Sequence, residues 1–120
     1  MPTKPILTVN FFRTNSGNEP VRDWLKDVGR EDRKRVGGDI KLVQFRWPLG
    51  LPPVRKMEAD LWEIRTNLGS GNIARVFFTV RNTRTVLLHG FVKKSQKTPR
   101  QELDLARTRR NQWLSEDRNS

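Results

Sequence analysis

The sequence predicts an α+β fold, and three observations predict it. Apolar residues recur at helical spacing through the N-terminal third, short β-like runs separated by turn residues follow from Pro52 onward, and Thr98-Pro99 opens a last helical stretch.

The first element is a strand. Ile6 to Phe12 is a short β-favouring run that ends in the turn-like Thr14-Asn15-Ser16-Gly17-Asn18, and Asn18-Glu19-Pro20 then signals a helix start. In that helix Val21, Trp24, Leu25 and Val28 stand at i, i+3, i+4 and i+7, giving one apolar stripe, while Arg22, Asp23, Lys26 and Asp27 fall on the polar side. A second helical pattern places Val36, Ile40, Val43 and Trp47 on one face and stops at Pro48. Gly37-Gly38 lies inside it. Each interior glycine costs about 1 kcal/mol relative to alanine, so the pair is expected to mark a break or a close crossing against the first helix.

The segments Val54 to Glu58, Leu61 to Thr66, Ile73 to Arg81 and Thr85 to Val92 then supply three or four further strands. Leu68-Gly69-Ser70-Gly71-Asn72 and Asn82-Thr83 carry turn residues at hairpin spacing, so an antiparallel meander is expected. In the last helix Leu103, Ala106 and Trp113 share a face, and the tail after Leu114 is expected to fray. With neither repeats nor a linker, residues 1–120 read as one domain.

Composition narrows the function classes. Lys plus Arg number 24 against 13 acidic residues, a formal charge of +11 spread along the whole chain. Such an excess favours a polyanionic partner, nucleic acid first, because each neutralised phosphate releases condensed counterions. A soluble domain that is merely basic, or one whose excess charge is matched by an acidic protein partner, is the other reading of the same charge. The absence of cysteine excludes disulfides, thiolate catalysis and cysteine metal sites. The N-terminal stretch has no cleavage-site pattern and no apolar run reaches membrane-spanning length, so a cytosolic protein without a membrane partner is expected.

One histidine and no tyrosine leave His89, lysines and carboxylates as proton-transfer groups, which excludes a two-histidine ribonuclease mechanism. Metal-dependent cleavage would draw on Glu58, Asp60 and Glu63, and Glu63-Ile64-Arg65 loosely matches an acidic-x-basic nuclease ending; a salt bridge on a strand face explains that triplet more simply. No metal or other cofactor is expected.

The basic constellation is richer. Strand alternation puts Trp62 and Ile64 on one side and Leu61, Glu63 and Arg65 on the other; in the next strand Ala74, Val76, Phe78 and Val80 oppose Ile73, Arg75 and Phe77. If the hairpin folds symmetrically about Ser70, Arg65 and Arg75 face each other directly. Two opposed cations repel unless an anion lies between them. Either a bound phosphate or Glu63 can fill that place, and spacing leaves both open. Val86 to Val92 is nearly continuous in apolar residues, so alternation leaves the side taken by His89 and Lys93 undecided, and a lone histidine is more often structural than catalytic. Lys93-Lys94-Ser95-Gln96-Lys97 reads as a solvated loop that leaves the sheet beside the arginines.

Three segments carry a resemblance: Leu61-Trp62-Glu63-Ile64-Arg65, Ala74-Arg75-Val76-Phe77-Phe78, and Val86 through His89-Gly90-Phe91 and Lys93-Lys94-Ser95-Gln96-Lys97-Thr98-Pro99. In order and type they resemble the phage-associated HigB branch of the RelE/ParE toxin superfamily, from about the first helix to the last, with Phe91 to Pro99 the most specific part. The resemblance implies a RelE-like fold: two N-terminal helices packed on a twisted antiparallel sheet, with a C-terminal helix on the other side. It also implies a type II toxin whose relatives cut mRNA in the ribosomal A site and are neutralised by a cognate, often helix-turn-helix, antitoxin.

By the same resemblance Arg75 matches the strand arginine that contacts the scissile phosphate, Arg65 a neighbouring basic position, and Lys93 and Lys94 the basic group after the last strand. Lys97, Phe91, Lys56 and Arg100 are expected to contact RNA, although Phe91 also suits the core. One departure stands out: many relatives carry a C-terminal tyrosine or histidine-tyrosine pair, and this chain has no tyrosine. The expected chemistry is metal-free attack of the 2′-hydroxyl on the adjacent phosphate, with Lys93, Lys94, His89 or Glu63 as base. Two rivals remain: a ParE-like inhibitor of a protein target such as gyrase, and a basic nucleic-acid-binding module without catalysis.

Overall fold

A computed structural model describes residues 4–48, 53–93 and 100–118. The order of elements is β1 (Thr8–Phe11), α1 (Pro20–Asp27), α2 (Arg30–Arg46), β2 (Val54–Glu58), β3 (Leu61–Asn67), β4 (Ile73–Arg81), β5 (Arg84–Lys93) and α3 (Arg100–Arg118). The α+β class is as expected. The sheet, however, is mixed and begins before the helices, whereas the resemblance implied an antiparallel sheet led by two helices.

The strands lie in the order β1-β5-β4-β3-β2. Strands β2 to β5 form the antiparallel meander that the turn residues predict, while β1 runs parallel to β5, with Thr8 opposite Arg84 and Phe11 opposite Leu87. Turn chemistry specifies only local pairing. The partner of β1 is chosen by burial: Leu7 and Phe12, at its two ends, enter opposite apolar layers.

Those layers lie on the two faces of the sheet. On one, Val21 of α1 and Val36, Ile40 and Val43 of α2 pack against Ile64, Ala74, Val76, Phe78 and Leu87, with Trp24, Leu25, Trp47 and Trp62 at the margins. Trp47 meets Trp62 edge-on at a centroid distance of 5.1 Å. On the other, Ala106, with Leu103 and Trp113 of α3 beside it, covers Phe12, Leu61, Phe77, Val86, Leu88 and Phe91. Both helical stripes and the alternation in β3 and β4 therefore match the sequence reading. Helix α3 also runs on to Arg118, past Leu114, where fraying was expected; Asp117 holds its last turn through ion pairs to Arg81, at 3.1 Å, and Arg84.

Two glycine positions differ in meaning. The Gly37-Gly38 pair neither breaks α2 nor crosses another helix: the helix is continuous, both residues are exposed, and a Cβ built on either meets nothing within 4 Å. Gly90 in β5 is the site of close approach, because a Cβ there would lie 2.5 Å from the Trp24 ring. The indole of α1 thus rests directly on the β5 backbone.

Candidate functional site

The α3 face of the sheet carries the chemistry. In the β3–β4 ladder Arg65 pairs with Arg75 and Glu63 with Phe77; across β4–β5, Phe77 pairs with His89 and Arg75 with Phe91. Two rows of side chains result. One runs from Glu63 through Phe77 to His89, and the next from Arg65 through Arg75 to Phe91. The hairpin symmetry about Ser70 predicted the opposition of the two arginines.

Glu63 settles which anion lies between them in this structure. Its Oε2 accepts a hydrogen bond of 2.9 Å from Arg75 Nη1, while its Oε1 lies 3.9 Å from Arg65 Nε. The Glu63 and Arg75 side chains are 0% and 3% exposed, and Arg65 is 43% exposed. This is not the solvated strand-face bridge that alternation suggested: the pair is buried, flanked in its rows by Phe77 and Phe91 of the apolar layer that α3 packs against. Among the described residues Glu63 Oε1 has no hydrogen-bond donor, so a buried carboxylate keeps one open acceptor oxygen facing the half-exposed arginine.

His89 reaches the same face through a β-bulge. The register shifts between Phe77 and Phe78, so that Leu88 is an extra residue and Leu88 and His89 do not follow strict alternation. The apolar run from Val86 to Val92 leaves the side of His89 open in the sequence, and that inserted residue decides it. Its Nε2 hydrogen-bonds Glu102 of α3, and Arg109 Nη1 lies 3.4 Å from Nδ1 while donating to the Leu88 carbonyl at 2.9 Å. Burial pulls the Arg109 guanidinium below its ordinary pKa, partly offset by Glu102. The imidazole also stacks on Phe91 at 5.7 Å. With both ring nitrogens engaged by α3, His89 fastens that helix to the sheet.

The remaining candidates separate. Glu58 is held at 2.7 Å by both Arg107 and Arg110 of α3, whose hydrogen bonds lower its pKa, the Arg110 bond most; Glu58 in turn raises that of Arg107. Asp60 is exposed in the β2–β3 turn with φ 58°. Among the described residues no three carboxylate or histidine groups converge as a metal site. Lys56 lies on the opposite face, its Nζ 5.9 Å from the Trp62 ring centroid. That places it away from the arginines, and Arg55, the register partner of Glu63, occupies the position on the site face that we expected of Lys56. Phe91 is buried, packed on Phe77 at 5.8 Å, so it belongs to the core rather than to an open stacking surface. Arg100 is exposed at the start of α3, within 3.9 Å of Asp104. Lys93 ends β5 opposite Ile73, while Lys94 and Lys97 lie outside the described residues.

Sequence reasoning missed Glu102, Arg107, Arg109 and Arg110. A signal existed: Glu102, Ala106, Arg109 and Trp113 follow i, i+4, i+7 and i+11, one stripe of α3 that carries charge as well as apolar surface. Arg55 had none, because the bulge between Lys56 and Glu58 sets its register.

The family described as phage derived protein Gp49-like (DUF891) matches residues 23–111, a span from α1 into α3 that contains Glu63, Arg65, Arg75, His89, Glu102 and Arg109. No curated protein matches the chain.

Proposed function

The chain belongs to the phage-derived Gp49-like (DUF891) family, and on that premise we propose that it is the toxin of a type II toxin-antitoxin system of the RelE/HigB type. In this reading it is a cytoplasmic endoribonuclease that cuts mRNA on the ribosome without a metal, and a cognate helix-turn-helix antitoxin neutralises it. The observation that carries the proposal is the Glu63 carboxylate set between two directly opposed arginines on a chain of charge +11.

The residues divide the work as follows. Glu63 Oε1, the open oxygen, accepts the proton of the RNA 2′-hydroxyl, and Arg75, bonded to Oε2, fixes the carboxylate for that task. The 2′-oxygen attacks the adjacent phosphorus, the bond to the 5′-oxygen breaks, and the products are a 2′,3′-cyclic phosphate and a 5′-hydroxyl. Arg65, the exposed cation, receives the phosphate and stabilises the negative charge that builds on its oxygens. The ribosome holds the message in line, which can supply several kcal/mol of the barrier. The sequence neighbours Lys93 and Lys94, the second of them outside the described residues, are proposed as further phosphate contacts and as the source of the proton for the leaving oxygen. Because Glu63 and Arg75 are buried, this reading requires the site to open toward the exposed Arg65 when RNA enters.

That burial also favours a second reading, in which the ion pair is structural and the chain acts on a protein target without cutting RNA. Programmed ribosomes decide between them. Message ends mapped by primer extension for wild type, Arg65→Ala, Arg75→Lys and Glu63→Gln should show A-site cuts that fall at least about a hundredfold in the Glu63 variant. A parallel arm with free RNA and excess chelator tests the metal-free chemistry. A folded protein that cuts nothing in either arm overturns the nuclease reading.

A further inference from the structure

Helix α2 carries a charged face that the cleavage site does not use. On a regular helix Arg30, Lys34, Gly37 and Lys41 fall within one narrow stripe directed away from the buried Val36, Ile40 and Val43, with Gly38 and Arg33 on its flanks. All six are exposed. Among the described residues none of the four cations has an ion-pair partner, whereas Arg35 on the neighbouring face is bonded to Asp32 at 3.1 Å. From Arg30 to Lys41 the stripe spans about 16 Å.

At its centre the Gly37-Gly38 pair has no packing role, because a Cβ on either would meet nothing. The helix thus tolerates two costly glycines at the one place where its cationic stripe is bare of side chains, and a ridge can approach the backbone there with a lysine one turn away on each side. Between Arg30 and Lys41 the stripe carries no aromatic residue, and the one ring near it, the half-buried Phe45, lies a turn beyond Lys41, so the stretch itself offers phosphate contacts and not a row of stacking surfaces. A backbone ridge presented by paired strands meets those requirements; an unpaired strand gains its affinity largely from stacking.

We propose that this face of α2 docks the phosphodiester backbone of double-helical RNA, such as a folded segment of ribosomal RNA, while the opposite face of the sheet handles the message. The choice of RNA over DNA rests on the proposed function; the surface itself does not.

The test uses a 2′-O-methyl RNA duplex, which keeps the A-form and cannot be cut by 2′-hydroxyl attack, beside a 2′-O-methyl single strand and a DNA duplex. Lys34→Glu/Lys41→Glu is expected to weaken duplex RNA binding at least about tenfold and to lower its salt dependence by roughly two contacts, with single-strand binding changed less than about threefold. Gly37→Gln/Gly38→Gln supplies the control that a structural role would not pass. It should raise Tm, because glutamine is the better helix former, yet weaken duplex binding. Unchanged duplex affinity in either folded variant, equal loss for the single strand, or preference for the DNA duplex overturns the inference, as does an acidic protein as the only ligand of this face. A protein that binds duplex RNA through α2 but cuts no message retains this inference and loses the nuclease reading. One that cuts normally in both α2 variants with duplex binding intact does the reverse.

Discussion

Arg65 and Arg75 face each other across the β3–β4 ladder, and the carboxylate of Glu63 is what makes that opposition tolerable. The two arginines differ sharply in exposure, so one anchors the carboxylate while the other stays at the surface.

Removing one partner of the buried pair breaks the 2.9 Å hydrogen bond between Arg75 Nη1 and Glu63 Oε2 and with it the direct charge pairing inside the fold. Glu63→Leu should cost about 3–5 kcal/mol in urea unfolding, and Glu63→Leu/Arg75→Met should recover most of that loss. A double variant no better than the single would show that the two groups are not coupled.

Gly90→Ala drives a methyl group into the Trp24 ring, a contact of 2.5 Å that the β5 backbone cannot relieve alone. The expected loss is about 1–3 kcal/mol. Combining it with Trp24→Leu should return part of the lost Tm, since the smaller side chain vacates the space.

His89→Gln separates fastening from catalysis. Because Glu102 and Arg109 occupy both imidazole nitrogens, the variant should cut RNA within a few-fold of wild type while amide exchange in α3 accelerates. Loss of cleavage with α3 protection unchanged would return His89 to the list of proton-transfer groups.

The Glu58 clasp on α3 should weaken in acid. Its hydrogen bonds from Arg110 and Arg107 hold the folded-state pKa below that of the unfolded chain. Its stabilising contribution is therefore fully present above the unfolded value and disappears as pH falls through the folded one. Wild type and Glu58→Gln, compared in urea across a pH series, should differ at neutral pH, with the gap narrowing steadily as the pH falls below the unfolded carboxylate range.

Much of this was legible in the residues. The Leu68 to Asn72 turn fixed the β3–β4 register, and strict alternation then put Glu63, Arg65 and Arg75 on one face; the stripes of α1 and α2 named their buried residues. Three features were not legible, for separate reasons. Pairing of β1 with β5 depends on burial between distant segments rather than on any turn. The side of His89 depends on the extra residue at Leu88, which a run of apolar residues conceals. The burial of Arg75 depends on what covers that face of the sheet, and spacing along a strand carries no information about it.

The parallel pairing of Thr8 with Arg84 also sets an order of assembly. β1 is made well before its neighbour β5, so it waits through the synthesis of α1, α2 and three intervening strands before its backbone groups find partners. The hairpins from β2 to β5 close locally and quickly; insertion of β1 along the open edge of β5 must follow, and long loop closure makes it the slow event. Until then Leu7 and Phe12 are held by neither layer, and the newborn chain keeps an unsatisfied edge at β5.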